Sequence, residues 1–475
     1  MRENELLVKL RDGQELTMRD QILLIVRLSI PAIMANISQL LMEYIDSSMV
    51  GRLGKEGSAA IGIVAPTTWL GGGMLIAASY GFSVQVAQYI GAKDDKRARD
   101  LVHEGLIVGL IWSVLLAAAG ISISSRLPVL LGGRQEIVTD ASLYFGIFAL
   151  SAPVVLILHI SAAFIQASGN IILPSILHVI MCILDVVFNF FLIFESRIVS
   201  VGKLSFEAFG FGLGVKGAAI GTLLAELCVG SFLFAYLMLK SPALKKRRGE
   251  KCSWRKNDLI KAAKIGIPVC IEQIVQQGAQ ILIIAIVAPL GTAAVAANSL
   301  AITAEGLCYM PGFGIGAAAS TLIGQSIGAG RKDLIRRLSR LTTISGMLVM
   351  AFSGLLLYLF APFMMGILTP DPEVWALGVS VLRIAAFSEP FFAASIVANG
   401  CFRGAGDTFI PSLMSLFSIW AVRIPIAAIL KPVVGLRGVW IAMAIELTFR
   451  GIIFIVRLFG KRWIQLEKNG VSMKI

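Results

Sequence analysis

The chain has 475 residues, 57% of them hydrophobic and 15% charged, with a mean hydropathy of +0.82 and a formal net charge of +13. Too little polar surface exists to cover that apolar fraction in water, which excludes a string of soluble domains and leaves a polytopic membrane protein. The basic excess is spread over loops rather than gathered with aromatics on one face, which argues against a nucleic-acid partner.

In chain order, residues 1–21 are charged and read as a cytoplasmic leader, solvated or interfacial. The first apolar run is too long for a cleavable signal peptide and lacks a small-residue cleavage site. Apolar segments then recur near 22–50, 59–91, 104–124, 137–167, 171–194, 215–239, 259–288, 293–328, 341–366, 374–404, 408–431 and 437–460. Each suffices to cross a hydrocarbon core of roughly 30 Å, which takes about 20 helical residues. Segments this continuously apolar lack the alternation of a barrel, so the predicted fold is all-α with about twelve transmembrane helices. Most of the 42 Lys and Arg residues fall in the leader, the 93–99 and 240–264 stretches, 331–340 and the tail, and the positive-inside rule then places both termini in the cytoplasm. Arg383, Arg423 and Arg450 lie within helices. Cys182, Cys228, Cys270, Cys308 and Cys401 fall in spans and Cys252 in a loop, with no metal or disulfide spacing, and read as small core residues.

Sliding the chain against itself exposes a repeat. At a shift of 237 residues Pro31 meets Pro268, Leu53-Gly54 meets Leu290-Gly291, Gln88 meets Gln325, Gly91-Ala92 meets Gly328-Ala329, Pro153 meets Pro390, Gly169 meets Gly406 and Pro174 meets Pro411. Two copies of a six-helix unit follow, in the same orientation and flanking a central cavity. The predicted organisation is a leader (1–21), an N-terminal lobe (22–239), a basic cytoplasmic linker (240–258), a C-terminal lobe (259–460) and a cytoplasmic tail (461–475). Beyond the last matched proline the shift drops to about 221, which puts roughly 16 extra residues in the external loop near 195–214.

The repeat isolates the unusual acids. In the first span Asn36, Gln39, Glu43 and Asp46 form one polar stripe, whereas their counterparts are Gln273, Gln276, Gln280 and Ile283. In the fifth span Asp185 and Asn189 share a face where the second copy has Val422 and Ile426, with His178 on or near that face. Both lobes keep a polar stripe, but only the N-terminal one is acidic. Asp46 and Asp185 sit in the second halves of parallel spans, at similar depth, where they are able to meet. A carboxylate at a helix centre costs ~2.5–3.5 kcal/mol on insertion scales, so these acids are functional candidates. Clustered acids repel when ionised and either take up a proton or recruit a cation, which suits exchange of H⁺ or Na⁺. Glu43 reads equally as a packing or cavity-lining residue, and the Gln-rich stripe equally as interhelical glue. Glu272 and Glu305 are weaker cavity candidates, and Glu389 before Pro390 reads as part of a kink. Pro31, Pro66, Pro153, Pro268, Pro311 and Pro390, with Gly312, Gly314 and Gly316, supply bends or close helix packing.

YIDSSMVGRLG (44–54), AAIGIVAP (59–66), VKGAAIGT (215–222), MPGFGIGAAASTLIGQSIGAG (310–330) and RGAGDT (403–408) with Pro411 resemble the signature stretches of the multidrug and toxic compound extrusion family, bacterial branch. The resemblance runs from Leu28 to about Arg457. It implies a twelve-helix, two-lobed antiporter of the bacterial inner membrane that expels organic cations and other amphiphiles against Na⁺ or H⁺ entry, with no enzymatic activity. It matches the family's first-helix acid to Asp46 and implies ion coupling at Asp46, Asp185, Asn189 and Glu43, with Na⁺ held at the first three in a sodium-coupled case. Related members carry Asn, or Asn then Asp, in the fifth helix, an order exchanged here. The acid that some members place in the seventh helix falls near Gln276, which does not ionise, so coupling is expected in the N-terminal lobe. Small cationic or amphiphilic substrates and membrane lipid are the expected partners, no cofactor is implied, and a two-lobed chain is able to act as a monomer.

Two other classes compete. A flippase of lipid-linked oligosaccharides of related architecture needs cations for a pyrophosphate, and Arg383 and Arg423 are available for that. A membrane enzyme finds no P-loop, nucleophile elbow or zinc-type His pair, since His103, His159 and His178 are scattered. Unequal acids in the two lobes favour coupled transport over a symmetric channel.

Overall fold

A capping box starts the first long helix: the Asp20 backbone N–H donates to Thr17 Oγ1 while the Thr17 backbone N–H donates to the Asp20 carboxylate. The computed structural model describes residues 5–201, 204–247, 250, 252–460 and 463–464. In order, the helices of the first half are α1 (Glu5–Arg11), α2 (Met18–Gly51), α3 (Lys55–Gly91), α4 (Asp95–Ser124), a short α5 (Leu127–Leu130), α6 (Gln135–Ala167), α7 (Ile172–Ile193) and α8 (Gly214–Leu239). The second half has α9 (Lys256–Val287), α10 (Thr292–Gly328), α11 (Lys332–Leu368), α12 (Pro372–Ala386), α13 (Glu389–Ala405), α14 (Phe409–Phe417), α15 (Ile424–Val434) and α16 (Leu436–Phe459). Among the described residues eleven helical segments are long and apolar enough to cross a bilayer, and α12 with α13, bent by 57°, supplies a twelfth if the pair is one span. The all-α, two-lobed architecture matches the expectation.

Its details depart from it in four places. The leader is not free in solvent: α1 buries Leu6, Leu7 and Leu10 in a cluster with α2, α10, α11, α13 and Trp463. The expected extra residues near 195–214 form an antiparallel hairpin, β1 (Glu195–Val201) with β2 (Leu204–Phe211). The tenth span breaks at 387–388, because Pro390 lacks an N–H and its ring clashes with the preceding turn. The eleventh contains a π-helical turn at Ser418–Arg423, which widens the helix where the Pro425 ring would crowd the Ala421 carbonyl. Of the tail, only Trp463 and Ile464 fall within the described residues, and Trp463 is buried on Phe402.

The lobes touch at the end of the bundle that carries both termini. There the repeat becomes a reciprocal contact. Gln88 Nε2 donates to the Gly404 carbonyl at 3.1 Å, and Gln325 Nε2 donates to the Ala167 carbonyl at 2.8 Å. Both partners are themselves repeat mates, so one hydrogen bond is the pseudo-twofold image of the other. Between the two, a Cβ on Gly91 would overlap the Gln325 carbonyl oxygen, and one on Gly328 the Gln88 carbonyl oxygen. Toward the far end of α2, the Tyr44 hydroxyl donates to the Thr303 carbonyl. Beyond it the lobes part: the end of α2 packs with Ile193, Val215 and Ala218 of its own lobe, and the end of α9 places Ile283 and Val287 in the C-terminal core. The cleft therefore opens at the end opposite the termini.

A buried ion network pins one corner of the closed end. The residues expected in the 93–99 loop instead begin α4, which Asp94 caps by accepting from the Arg97 N–H. Arg97, 2% exposed, donates through Nε to Asp258 Oδ2 at 2.7 Å and through Nη2 to Glu104 Oε1 at 3.0 Å and to Asp258. It also donates through Nη1 to the Ser253 carbonyl at 2.6 Å, while Arg99 binds Glu250 and the Ala243 carbonyl. The Arg99 guanidinium holds the Glu250 carboxyl below the ordinary glutamate range. The 240–258 linker is thus docked on α4. At the pseudo-twofold corner, Gln21 and Leu334 replace Asp258 and Arg97 in an apolar setting. Replacing Arg97 by Met leaves Asp258 and Glu104 buried without a counter-charge, and is expected to cost ~3–5 kcal/mol. Thermal unfolding of the purified protein reads this directly; an unshifted midpoint would deny the network any structural weight.

Candidate functional site

The N-terminal lobe gathers its acids at the level where the lobes part. Asn189 of α7 donates from one amide nitrogen to Asp46 Oδ1 at 2.8 Å and to Asp185 Oδ2 at 3.0 Å. Asp185 and Asn189 lie one turn apart on the buried face of α7, and Asp46 enters from α2. One amide N–H₂ therefore bridges two carboxyls from different spans. Asp185 Oδ1 and Asn189 Oδ1 remain buried with no hydrogen-bond partner. Buried lone pairs without a donor are costly, and a proton or a small cation placed among them would relieve that cost. Among the described residues no group of three or more His, Cys, Asp and Glu has a metal-binding arrangement. Two carboxyls and an amide suit an ion that is exchanged rather than kept.

α8 completes this wall with residues that the spacing analysis passed over. Gly221 abuts Asn189 so closely that a Cβ there would overlap its Oδ1. Thr222 flanks Asp185, and Glu226, a turn further along α8, is within electrostatic reach of Asp185. Tyr144 of α6 is within electrostatic reach of Asp46, Asp185, Glu226 and Glu43. Glu226 was detectable by the rule that selected Asp185, as an acid in an apolar span, but it has no acidic or amide neighbour at helical spacing to mark a stripe. Changing Gly221 to Ala is expected to swing the Asn189 amide off both carboxyls and weaken the ion's apparent affinity about 10- to 100-fold, the scale seen for residues that orient ion ligands. Titration of transport against ion concentration measures it, and an unchanged midpoint would mean that Asn189 does not orient the site.

The remaining candidates fall elsewhere. His178 is buried on α7, its Nδ1 at 2.8 Å from the Pro174 carbonyl and its ring 6.5 Å from that of His159, so it belongs to a helix-packing pair rather than to the cavity. Glu43 and Gln39 are half-buried on α2. Glu43 acts on Tyr309 of α10, whose ring packs against Phe313 and Phe392 at 5.9 and 5.7 Å. Tyr44 reaches the C-terminal lobe at the Thr303 carbonyl, and Tyr309, Phe313 and Phe392 form an aromatic patch of that lobe within electrostatic reach of Tyr44 and Glu43, a feature that no spacing singled out. On α9, Gln276 is exposed, Gln273 and Gln280 are half-buried, and Gln273 packs on Gly73 of the facing lobe. Glu272 points into its own lobe and accepts from Ser412 Oγ at 2.7 Å.

The C-terminal lobe has its own buried charges. Glu446 pairs with Arg450 at 2.7 and 2.9 Å and accepts from Ser418 Oγ in the π-turn at 2.6 Å. Arg423 is within electrostatic reach of Glu446 and Glu305. Glu305 and Glu389 are near neighbours, and neither oxygen of the fully buried Glu389 has a hydrogen-bond partner, so Glu389 is more than a kink residue. Arg383 lies on the outside of the lobe under Tyr358, away from the cleft. Arg383 therefore offers the cleft no cation, whereas Arg423 has no ion pair among the described residues and its Nε is buried without a hydrogen-bond partner.

Comparison with known proteins agrees with this architecture. The MatE family profile matches twice, over residues 31–191 and 268–429, and the second match starts at the register of the internal repeat. A probable multidrug resistance protein NorM of Thermotoga maritima is 27% identical over 452 residues, which span 94% of this chain and 93% of that protein. A probable multidrug resistance protein YoeA of Bacillus subtilis is 23% identical over 87% of this chain and 88% of its own length. Among solved structures, a MOP superfamily transporter from Pyrococcus furiosus, described as having a binding pocket of reverse polarity, superposes with a TM-score of 0.87 at 21% identity, over 98% of this chain and 100% of that one. An outward-facing multidrug resistance MATE family transporter superposes with a TM-score of 0.86 at 21% identity over 96% and 99% of the two chains. Because the two profile matches fall on the two repeats and together cover more than half of the sequence, this chain belongs to the MatE family of membrane transporters.

Proposed function

We propose that the protein is a secondary active antiporter that expels small cationic or amphiphilic compounds in exchange for Na⁺ or H⁺. The observation that carries this reading is the Asn189 amide bridging Asp46 and Asp185 beside two unpartnered buried oxygens. With the cleft open opposite the termini, an ion entering the site neutralises the charge that holds a cationic drug. Ion and drug compete for one negative charge, so binding of either favours loss of the other. Reversal of the lobes then releases the ion on the terminus side and exposes the cleft to new substrate. Asp46, Asp185, Asn189 and Glu43 are assigned to coupling, with Glu226 added. Gln39, Gln273, Gln276 and Gln280 are assigned to the cleft with the aromatic patch, whereas Glu272 and His178 are withdrawn from it. In this reading the protein works as a monomer of two lobes (22–239 and 259–460) joined by the 240–258 linker, in a bacterial inner membrane with both termini cytoplasmic. The test is accumulation of ethidium in proteoliposomes under an imposed Na⁺ or H⁺ gradient. Accumulation under one gradient identifies the ion; no accumulation of any of a panel of cations under either gradient would overturn the antiporter reading.

A further inference from the structure

A groove of about 690 Å³ runs along the outside of the C-terminal lobe between α11, α16 and the break that separates α12 from α13. Tyr358, Phe387, Ile441, Ile445, Phe449 and Ile452 line it. Phe387, Ile445 and Ile452 are exposed apolar side chains on helices long and apolar enough to span a bilayer or beside them, which suits this surface to lipid contact. Arg383 is exposed within it, its guanidinium 5.2 Å from the centre of the Tyr358 ring. Arg383 thus stands among exposed apolar side chains, where a guanidinium is costly unless it reaches the interface or an anion meets it.

The groove contains no such anion of its own. Among the described residues no carboxylate is within ion-pair distance of Arg383, and the two aliphatic hydroxyls in the lining are committed: Ser388 Oγ donates to the Ala385 carbonyl and Thr448 Oγ1 to the Ala444 carbonyl, both at 2.8 Å, which leaves only the Tyr358 hydroxyl. A second cation stands above it. Arg437, at the start of α16, donates through Nε to Ser380 Oγ at 3.1 Å, and Ser380 is one turn nearer the membrane surface than Arg383 on the same face of α12. Side chains on a helix tilt toward its N-terminus, so Arg383 reaches up toward Arg437 and toward the leaflet opposite the termini. Two guanidiniums stacked above an apolar trough are complementary to one phosphate with an acyl chain below it.

We infer that this groove is a binding site for an anionic phospholipid of the leaflet opposite the termini, with its phosphate between Arg383 and Arg437 and one acyl chain along Phe387, Ile445 and Ile452. The test is native mass spectrometry of the full chain in detergent titrated with phosphatidylglycerol, with phosphatidylcholine of the same chains and inorganic phosphate as separate arms. Wild type is expected to retain phosphatidylglycerol at least fivefold better than phosphatidylcholine. Arg383→Gln is expected to remove that preference, and Arg383→Lys, which keeps the charge but loses the forked geometry, to retain part of it. Lys332→Gln, at the other end of the bundle, is expected to leave it unchanged. Equal retention of the two lipids, an undiminished preference in Arg383→Gln, or displacement of phosphatidylglycerol by inorganic phosphate alone would each overturn the assignment. Should Arg383→Gln fail to fold, Arg437→Gln reads the same site from the rim, and full retention there would also overturn it.

Discussion

Asp46→Asn is expected to reduce gradient-driven efflux to about a tenth of the wild-type rate or less, since a coupling free energy of typically ~1–3 kcal/mol disappears with the charge. The substitution is nearly isosteric, so the cleft and its aromatic patch keep their shape. What changes is that the Asn189 amide, which donates to both Asp46 Oδ1 and Asp185 Oδ2, loses one ionisable partner. The site then holds one fewer negative charge with which ion and drug compete. Asp185→Asn should act in the same direction, because the two acids share one donor. The two losses should not add, as expected for groups within one network. Substrate equilibrium binding, measured alongside transport, separates a coupling defect from a folding defect. Wild-type transport in both variants would remove the N-terminal lobe from the coupling mechanism and direct attention to Glu305 and Glu389, the buried pair of the other lobe.

The second large effect concerns the closed end. Gly91→Ala puts a methyl into the Gln325 carbonyl, and Gly328→Ala puts one into the Gln88 carbonyl. Each obstacle is backbone within a long helix, unlike a side chain that swings aside. Overpacking of this sort costs ~1–3 kcal/mol, and here the cheapest relief is separation of the lobes. Either variant is therefore expected to shift the equilibrium between access states toward opening on the terminus side by roughly 5- to 150-fold, the factor equivalent to ~1–3 kcal/mol. Spin labels at the exposed Lys96 and Lys332 report the separation. Because Gly91 and Gly328 are pseudo-twofold mates, the two single variants should give similar distance changes. A wild-type distance distribution in both would show that the interface relaxes locally and does not gate access.

Much of this was legible in the sequence because the decisive signals are local. Spans announce themselves by length and hydropathy, the repeat by prolines and glycines in one register, and Asp46, Asp185 and Asn189 by being polar where lipid or core demands otherwise. Their meeting followed from parallel spans and similar depth. What remained hidden depends on partners remote in the chain. Arg97 and Arg99 look like loop cations until Asp258, Glu104 and Glu250 fold over them. Glu226 has no polar stripe of its own, and only the packing of α8 on α7 brings it near Asp185. The π-turn at Ser418–Arg423 and the break at 387–388 redistribute backbone hydrogen bonds around prolines, and hydropathy cannot see this. Span assignment gives Arg383 a depth without fixing the face on which it stands, and only the packed helices put it on the outside of its lobe.

The docked linker has a mechanical consequence. Ser253, Asp258 and α4 are fastened together by Arg97, leaving almost no slack in the chain between the lobes at that corner. The opposite corner, built on Gln21 and Leu334, packs apolar side chains and is tied only at its exposed rim, by Arg331 to the Gln14 carbonyl and by Lys93 to Asp12. A core of twofold symmetry is thus mounted on a lopsided frame. When the terminus side opens, the linker corner acts as a fulcrum, and displacement grows with distance from it. An opening hinged at Arg97 would be widest beside α1, where Asp12 holds Lys93 of one lobe and the Gln14 carbonyl holds Arg331 of the other, so the leader would have to release one lobe before a bulky solute could enter there.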